Sequence, residues 1–124
     1  MPSVLINAER PEDESDLVHR AVEALVAGNL VAFPTETVYG VAALASHATA
    51  VERLCRLKNR QPGHPLALAV KGYEETLDYC PDLSPVARRI AQRCGPGPVT
   101  LVLECTHPDS LKARLPETVQ AAVA

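Results

Sequence analysis

The chain has 124 residues, of which 47% are hydrophobic and 22% charged, and its formal net charge is −3. These values are typical of one folded domain with a moderate core, and they exclude a disordered or collagen-like chain. The negative net charge argues against binding nucleic acid through the charge of the whole chain. No apolar run is long enough to span a membrane. Because the N-terminus also lacks a secretory signal pattern, we expect a single cytoplasmic domain over residues 1–124.

In the first part of the chain, the apolar pattern predicts a strand, a helix and two further strands. Residues 4–7 form the first strand. The helix that follows ends at Gly28, since glycine favours the position just after a helix. The continuous apolar run at residues 30–33 indicates a buried strand, and residues 39–45 indicate a neighbouring one.

The alternation of helices and strands continues through the rest of the chain. Ser46 is placed to cap a helix, and residues 66–70 form a strand. Ser84 caps a later helix whose first residue is Pro85, the position where proline is favoured. Residues 99–104 form a strand of branched side chains. This order predicts an α/β fold with an open mixed sheet and flanking helices.

The cysteines show no pattern that would bind a metal or form a redox motif. They are Cys55, Cys80, Cys94 and Cys105. None of these residues stands in a Cys-x-x-Cys spacing. We therefore expect reduced thiols, with Cys55 in a core. The histidines His19, His47 and His107 match no site pattern, and we expect them at the surface.

One stretch of polar residues is better suited to ligand binding than to structure. The run at residues 30–33 stops at a proline, after which Thr35, Glu36 and Tyr39 supply a hydroxyl, a carboxylate and a phenol. Two cations, Lys58 and Arg60, and an imidazole follow some twenty residues later. In α/β proteins, ligand groups lie where strands end. The mix predicts a site for a polyanion and a small polar molecule.

Each of these residues also has a plain structural explanation. Cations such as Lys58 and Arg60 are favoured at a helix C-terminus by the helix dipole, and their stems can cover apolar surface. A threonine such as Thr35 can bond neighbouring backbone in a turn. His64 lies in a loop, where an exposed side chain is ordinary. Thr100 is a β-branched residue in a predicted strand.

Four segments resemble, in the same order along the chain, the signatures of the YrdC/Sua5 family of threonylcarbamoyl-AMP synthases. They are Pro34-Thr35-Glu36-Thr37, Lys58-Asn59-Arg60, His64-Pro65-Leu66 and Pro96-Gly97-Pro98-Val99-Thr100. The resemblance runs from about Ala24 to the end of the chain. It implies a YrdC-like open, twisted mixed sheet with flanking helices.

The resemblance also implies a reaction and its participants. Threonine, bicarbonate and ATP give threonylcarbamoyl-AMP and pyrophosphate, for the N6-threonylcarbamoyladenosine modification of tRNA. Mg²⁺ accompanies the ATP. Thr35 contacts threonine. Lys58, Arg60, His64 and Thr100 contact ATP. Glu36 and Tyr39 are assigned either to support the ligand-binding residues or to pack. No side chain is assigned as a catalytic nucleophile or metal ligand.

The sequence departs from the family pattern in several places. Family members have an arginine at a strand end and a Ser-x-Asn signature further along, so we expect this chain to be the N-terminal portion of a synthase, with little activity alone. The run at residues 121–124 resembles the start of that strand. Gly95 stands where many members have an aromatic residue, and residues 66–70 lack a histidine that contacts threonine in some.

Two other functions stay open at this point. Arg53, Arg56 and Arg60 share one helical face, which suggests a module that binds RNA or tRNA-modification proteins. Only four aromatic residues are present for base stacking, which counts against it. Alternatively, the chain is an inactive fragment whose incomplete sheet edge pairs with a second copy.

Overall fold

The computed structural model of the chain describes residues 3–6, 14–60 and 64–123. Within these ranges its elements, in chain order, are α1 Glu14–Val26, β1 Val31–Phe33, β2 Gly40–Ala42, α2 Ala48–Leu57, α3 Tyr73–Tyr79, α4 Pro85–Cys94, α5 Leu111–Arg114 and α6 Glu117–Val123. The predicted α/β class is confirmed. The strand predicted at residues 4–7 lies partly outside the described residues, and its described part is not a strand.

Helix α1 ends at Gly28, as predicted from the sequence. The N–H of Gly28 donates to the carbonyl of Leu25, and the N–H of Asn29 donates to that of Ala24, at 3.0 and 2.9 Å. These two bonds define a Schellman motif, whose first residue beyond the helix adopts a left-handed conformation. Gly28 has a φ of 84°, which glycine adopts without steric cost. The motif turns the chain from α1 into β1.

Strands β1 and β2 form an antiparallel hairpin. Val31 pairs with Ala42, and Phe33 pairs with Gly40. A side chain at Gly40 would meet the Phe33 ring at 3.2 Å, so this glycine makes room for the ring. Within the described residues the sheet consists of these two strands, so the mixed sheet expected from the sequence is not formed. The hairpin holds together the two ends of a loop at residues 34–39.

Helix α2 begins one residue later than the sequence suggested. Its N-cap is His47, whose Nδ1 accepts a hydrogen bond from the Ala50 N–H at 3.2 Å, and not Ser46. His47 was expected at the surface, but it is half-buried and caps this helix. Serine is a preferred N-cap residue and histidine is not, so the sequence signal favoured Ser46.

The core of the described chain lies between α2 and α6 and continues along α3 and α4. Its buried apolar residues are Ala50, Val51, Leu54, Cys80, Leu83, Ala91 and Val119. Val119 is fully buried, and α2 packs against α6. Ala50, Val51 and Leu54 recur at the three- and four-residue spacing of one helical face, which explains why α2 buries that side.

Two predicted strands do not form in the described structure. Residues 66–70 and 99–104 are extended but belong to no ladder, although the Leu66 N–H donates to the carbonyl of Ala122 at 2.8 Å. Burial alternates between half-buried and exposed residues from 101 to 105, which is the period of a strand. The side-chain pattern of a strand is thus present without a partner strand to complete it.

The strand start expected at residues 121–124 is wrong, because α6 Glu117–Val123 is helical there. The N–H groups of Val119 and Gln120 both donate to the Pro116 carbonyl at 2.9 Å. Glu117 places an acidic residue in the first turn, and alanine favours helices. Val119 and Val123 are four residues apart, so both can lie on one face. Local helix propensity therefore decides this segment. Ala124 lies outside the described residues.

Helix α4 agrees with its prediction. Ser84 is the N-cap, and its Oγ accepts a hydrogen bond from the Ala87 N–H at 3.2 Å, with Pro85 as the first helical residue. Arg88 reaches back to the carbonyls of Pro81 and Leu83, at 3.1 and 3.2 Å. These bonds fix the turn between α3 and α4.

The cysteines differ from the sequence expectation. Cys80 and Cys105 form a disulfide, with their Cα atoms 5.0 Å apart, while Cys55 and Cys94 are free and half-buried. The bridge ties the end of α3 to the residues that precede α5. The sequence expectation rested on local spacing, and a bridge across 25 residues leaves no local signal. His107 also makes a structural hydrogen bond, because its Nδ1 accepts from the Asp109 N–H at 3.1 Å.

Much apolar surface remains exposed. Leu5 and Val102 are 98% and 97% exposed, and Val38 and Tyr39 in the hairpin loop are about three-quarters exposed. Apolar residues exposed singly are ordinary at protein surfaces. None of the described helices combines the length and apolar character needed to cross a membrane.

Candidate functional site

The hairpin loop at residues 34–39 carries the candidate threonine contact, Thr35. Its Oγ1 donates to the carbonyl of Val38 and accepts from the Thr37 N–H at 3.3 Å. The hydroxyl therefore closes the turn, as the plain structural explanation predicted. A threonine hydroxyl has two lone pairs, and the second one faces the Thr37 Oγ1, which lies 3.5 Å away. Thr35, Glu36 and Tyr39 are all exposed.

The end of α2 carries the two candidate phosphate contacts. Lys58 is the C-cap, and its N–H donates to the Leu54 carbonyl at 3.0 Å. The N–H of Asn59 donates to Arg56, and that of Arg60 donates back to Cys55, at 3.1 and 3.0 Å. This is a second Schellman motif, with Asn59 as its left-handed residue at a φ of 52°. Lys58 and Arg60 flank that residue at the same helix end.

The cations near this helix end fall into two groups. Arg53 donates from Nη1 to the Gly28 carbonyl at 3.2 Å, and Arg56 pairs with Glu52 at 2.6 Å. Lys58 and Arg60 are exposed, and their side chains make no hydrogen bond or ion pair with any other described residue. Of the arginines proposed as an RNA-binding face, only Arg60 is therefore unengaged within this part of the chain.

The other two candidates lie on different segments. His64 is exposed at the start of the segment that precedes α3, and Thr100 is exposed in the extended segment after α4. The Gly97 backbone approaches the Cys94 carbonyl so closely that a Cβ would lie 2.7 Å from its oxygen. Glycine is thus required where the chain turns from α4 towards Thr100.

The structure brings only some of the candidates together. Lys58 and Arg60 share one turn, and Thr35 lies in a hairpin loop two elements earlier. Within the described ranges, no hydrogen bond or ion pair joins Thr35, His64 or Thr100 to either cation. A shallow depression on α4 is lined by Val86, Arg89, Ile90 and Arg93, and none of these is a candidate.

Sequence reasoning missed the structural roles of His47 and Arg53, which hold in place the helix that carries Lys58 and Arg60. The His47 ring lies where a side chain on Gly28 would be, 2.5 Å from the ideal Cβ position, and it also caps α2. Together with the Arg53 bond, these contacts fix α2 against the turn that leads into β1. The helix-stop signal at Gly28 was readable from the sequence, but the contact across the fold was not.

The described residues include no group of three His, Cys, Asp or Glu side chains that could hold a metal ion. Mg²⁺ in nucleotide sites is held largely by phosphate oxygens and water, with few protein ligands. The expectation that Mg²⁺ accompanies ATP stays a prediction.

Comparison with known proteins adds a family to this geometry. A model of the Sua5/YciO/YrdC family, described as "Telomere recombination", matches residues 23–123. A protein of Pyrococcus abyssi named threonylcarbamoyl-AMP synthase is 37% identical over 101 residues, which are 82% of this chain and 29% of that protein. A mouse protein of the same name is 38% identical over 101 residues, covering 80% of this chain and 35% of its own length.

A solved structure agrees with these sequence matches. The structure of a double variant of Pyrococcus abyssi Sua5 has a TM-score of 0.75 to this chain and 32% identity, and the match covers 92% of this chain and 33% of that one. The chain thus spans about a third of the length of these proteins. The four-segment resemblance is confirmed, and the chain belongs to the Sua5/YrdC family.

Proposed function

We propose that the protein containing this chain makes threonylcarbamoyl-AMP and pyrophosphate from threonine, bicarbonate and ATP, as a cytoplasmic nucleotidyltransferase in tRNA modification. The observation that carries the proposal is the pair of unengaged cations, Lys58 and Arg60, at one helix end of a chain whose relatives bear that enzyme's name. Two cations that have no carboxylate partner among residues 3–6, 14–60 and 64–123 are available to a polyphosphate.

In this proposal the nucleotide is bound by side-chain charge. Lys58 offers a point charge, and Arg60 offers a planar fork that can donate two parallel hydrogen bonds to phosphate oxygens. His64 and Thr100 complete the ATP contacts. The sequence has no Gly-rich P-loop, so side chains rather than a backbone cradle supply the positive field.

Threonine is assigned to the hairpin loop. An N–H donor such as the amine of a bound amino acid could replace the Thr37 hydroxyl at the second lone pair of Thr35, because that contact is long, at 3.5 Å. The amine forms a C–N bond with CO₂ and loses a proton, or with bicarbonate and releases water, and either route gives an N-carboxylate. Its oxygen forms a bond to the α-phosphorus of ATP, while the bond from that phosphorus to the bridging oxygen of pyrophosphate breaks. Positioning and charge neutralisation supply most of the catalysis in such transfers.

Mg²⁺ would arrive with ATP and neutralise charge on its phosphates. Lys58 and Arg60 neutralise the phosphate charge that Mg²⁺ leaves, and Thr35 orients the amino acid. No step requires a protein nucleophile.

The test compares the 124-residue chain with any longer product of the gene that encodes it and with the full-length relative from Pyrococcus abyssi. Each is incubated with ATP, Mg²⁺, bicarbonate and threonine, and pyrophosphate and the adenylate are measured. We expect threonine-dependent turnover from the longer proteins and little from the chain, since the candidate residues are exposed and a misplacement of about 1 Å already costs about a hundredfold. Pyrophosphate release that does not depend on threonine would contradict the proposed reaction. Equal turnover by the chain alone would contradict the expectation that it is nearly inactive.

A further inference from the structure

Asn59 has an unusual backbone conformation between the two proposed phosphate contacts. Among the described residues it is the one non-glycine residue with a positive φ, at 52°. Such a conformation is uncommon for residues with a Cβ, although asparagine tolerates it several-fold better than most. For a β-branched residue it is a genuine outlier. The position therefore tolerates few residue types.

The conformation of Asn59 determines where Arg60 goes relative to Lys58. Lys58 is still helical, with a φ of −82° and a ψ of −4°. In a continued helix, residues two apart lie about 200° from each other around the axis and face opposite sides. Instead, the chain reverses at Asn59, and the Arg60 N–H returns to the Cys55 carbonyl at 3.0 Å. Arg60 thus leaves the helical path and lies against the last turn of α2.

The charges around this turn suit a shared ligand. Lys58 and Arg60 are exposed and make no polar side-chain contact within the described ranges, while Arg56, one turn earlier, is paired with Glu52. Two unpaired cations on opposite sides of a helix could not both contact one short phosphate chain. Two cations on either side of a chain reversal can.

We propose that Asn59 is a positioning residue, whose left-handed backbone directs Lys58 and Arg60 to the same polyphosphate. The inference rests on the proposed function, because it assumes that these two cations bind the phosphates of ATP. Asn59 itself contacts no phosphate. Asn59 raises the fraction of molecules in which the turn is formed. Only those molecules can bind the ligand with both cations.

A helix stop without a functional role predicts a different behaviour. If the turn only ends α2, a residue that disfavours the left-handed conformation lowers the stability of the chain and leaves phosphate binding to the folded chain unchanged. If the turn positions the cations, the same residue weakens binding while Lys58 and Arg60 are both still present.

The experiment compares Asn59→Gly with Asn59→Val in the full 124-residue chain. Calorimetric titration with pyrophosphate and with MgATP measures affinity, and circular dichroism confirms folding. We expect Asn59→Gly to bind within about twofold of the unmodified chain, because glycine adopts positive φ freely. Asn59→Val should bind more weakly than Asn59→Gly, by up to about five- to thirtyfold, the factor that corresponds to the cost of a left-handed conformation for a residue with a Cβ. If Asn59→Val does not fold, Asn59→Ala replaces it.

Two further measurements complete the comparison. They are the affinity of Arg60→Ala and the thermal unfolding of each variant. If Arg60→Ala weakens binding and Asn59→Val does not, Asn59 has no positioning role and the proposed function stands. If Arg60→Ala binds as tightly as the unmodified chain, the phosphate contacts themselves are wrong, and the role of Asn59 falls with them. Weak binding by the valine variant with recovery in the glycine variant supports the inference, because a loss caused by the missing asparagine side chain would persist in glycine.

Discussion

Arg53 donates a hydrogen bond from Nη1 to the backbone carbonyl of Gly28, at 3.2 Å and across 25 residues of sequence. The bond joins α2 to the turn between α1 and β1, where the His47 ring also lies against Gly28. Because α2 carries Lys58 and Arg60 at its other end, these contacts help to fix the proposed phosphate site relative to the hairpin.

The first prediction concerns Gly28. We expect Gly28→Ala to lower the free energy of unfolding by about 2 kcal/mol or more, since a left-handed alanine costs roughly 1–2 kcal/mol and the His47 ring must also move. Urea denaturation monitored by circular dichroism measures the change. Gly72→Ala is the matched control, because Gly72 has a φ of 175° and no atom lies within 4 Å of the position that its Cβ would take. Equal effects of the two substitutions would contradict the conformational argument.

The second prediction concerns the cap of α2. His47→Ala removes the acceptor of the Ala50 N–H and should destabilise the chain by about 1 kcal/mol, within the range of measured N-cap losses. Asparagine is a strong N-cap residue, so His47→Asn should recover most of that loss. Ser84→Ala, which removes the corresponding cap of α4, gives the scale for this chain. Identical stability of His47→Ala and the unmodified chain would show that the cap contributes nothing.

Several elements were predictable because their signals are local. Ser84 and Pro85 mark the start of α4, and Gly28 marks the end of α1, since each residue type suits a specific backbone position. The four ordered motifs identified the family. None of these predictions required knowledge of contacts between distant residues.

The predictions that failed depended on long-range partners. Residues 66–70 and 99–104 have the composition of strands, but a strand forms only where a ladder partner is present, and none lies within the described residues. Residues 121–123 were assigned to a strand by family resemblance, whereas the alanines and the preceding Pro116 and Glu117 favour the observed helix. The Cys80–Cys105 bridge likewise joins segments that only the fold brings together.

The third prediction separates the disulfide from the reduced thiols expected from the sequence. Alkylation of the unfolded, unreduced chain should modify Cys55 and Cys94 and leave Cys80 and Cys105 unmodified. Closing a loop of this length should stabilise the oxidised chain by about 3 kcal/mol over the reduced chain. Intact mass and urea denaturation, each with and without reductant, make the measurements. Four alkylated cysteines before reduction would restore the sequence expectation, and Cys55→Ser serves as a control that leaves the bridge intact.

The fourth prediction concerns the phosphate contact. A charge-assisted hydrogen bond contributes about 1.5–3 kcal/mol, so Arg60→Ala should weaken MgATP binding by roughly tenfold or more. Arg89→Ala provides the control, because Arg89 is also an exposed arginine but lies on α4 and is not one of the candidate residues. Calorimetric titration compares the two variants at one salt concentration. Equal losses would indicate that net charge, and not a site at the end of α2, determines the affinity.

The fifth prediction concerns threonine, and it must separate the turn from the substrate. Thr35→Val keeps the side-chain shape and removes the hydroxyl, so the bonds with Val38 and Thr37 are lost together with the proposed substrate contact. In the product of the full reading frame, we expect kcat/KM for threonine to fall roughly tenfold or more, the effect of losing one hydrogen bond to a charged group. MgATP affinity should change little, because Lys58 and Arg60 lie at the end of α2 and not in the hairpin loop.

Thr35→Ser and Thr37→Val decide whether that loss comes from the turn or from the substrate contact. Thr35→Ser keeps the hydroxyl and should retain threonine-dependent pyrophosphate release. Thr37→Val changes a second threonine of the same loop, whose Oγ1 lies 3.5 Å from that of Thr35, while keeping the Thr37 N–H that bonds to Thr35. If Thr37→Val impairs threonine use as strongly as Thr35→Val, general loosening of the loop explains both, and Thr35 is a turn residue. Loss in Thr35→Val alone, with activity restored by serine, assigns the loss to the Thr35 hydroxyl. Thermal unfolding of Thr35→Val then separates its two roles: an unchanged midpoint assigns the hydroxyl to the substrate, whereas a lowered midpoint assigns the loss to the turn bonds with Val38 and Thr37.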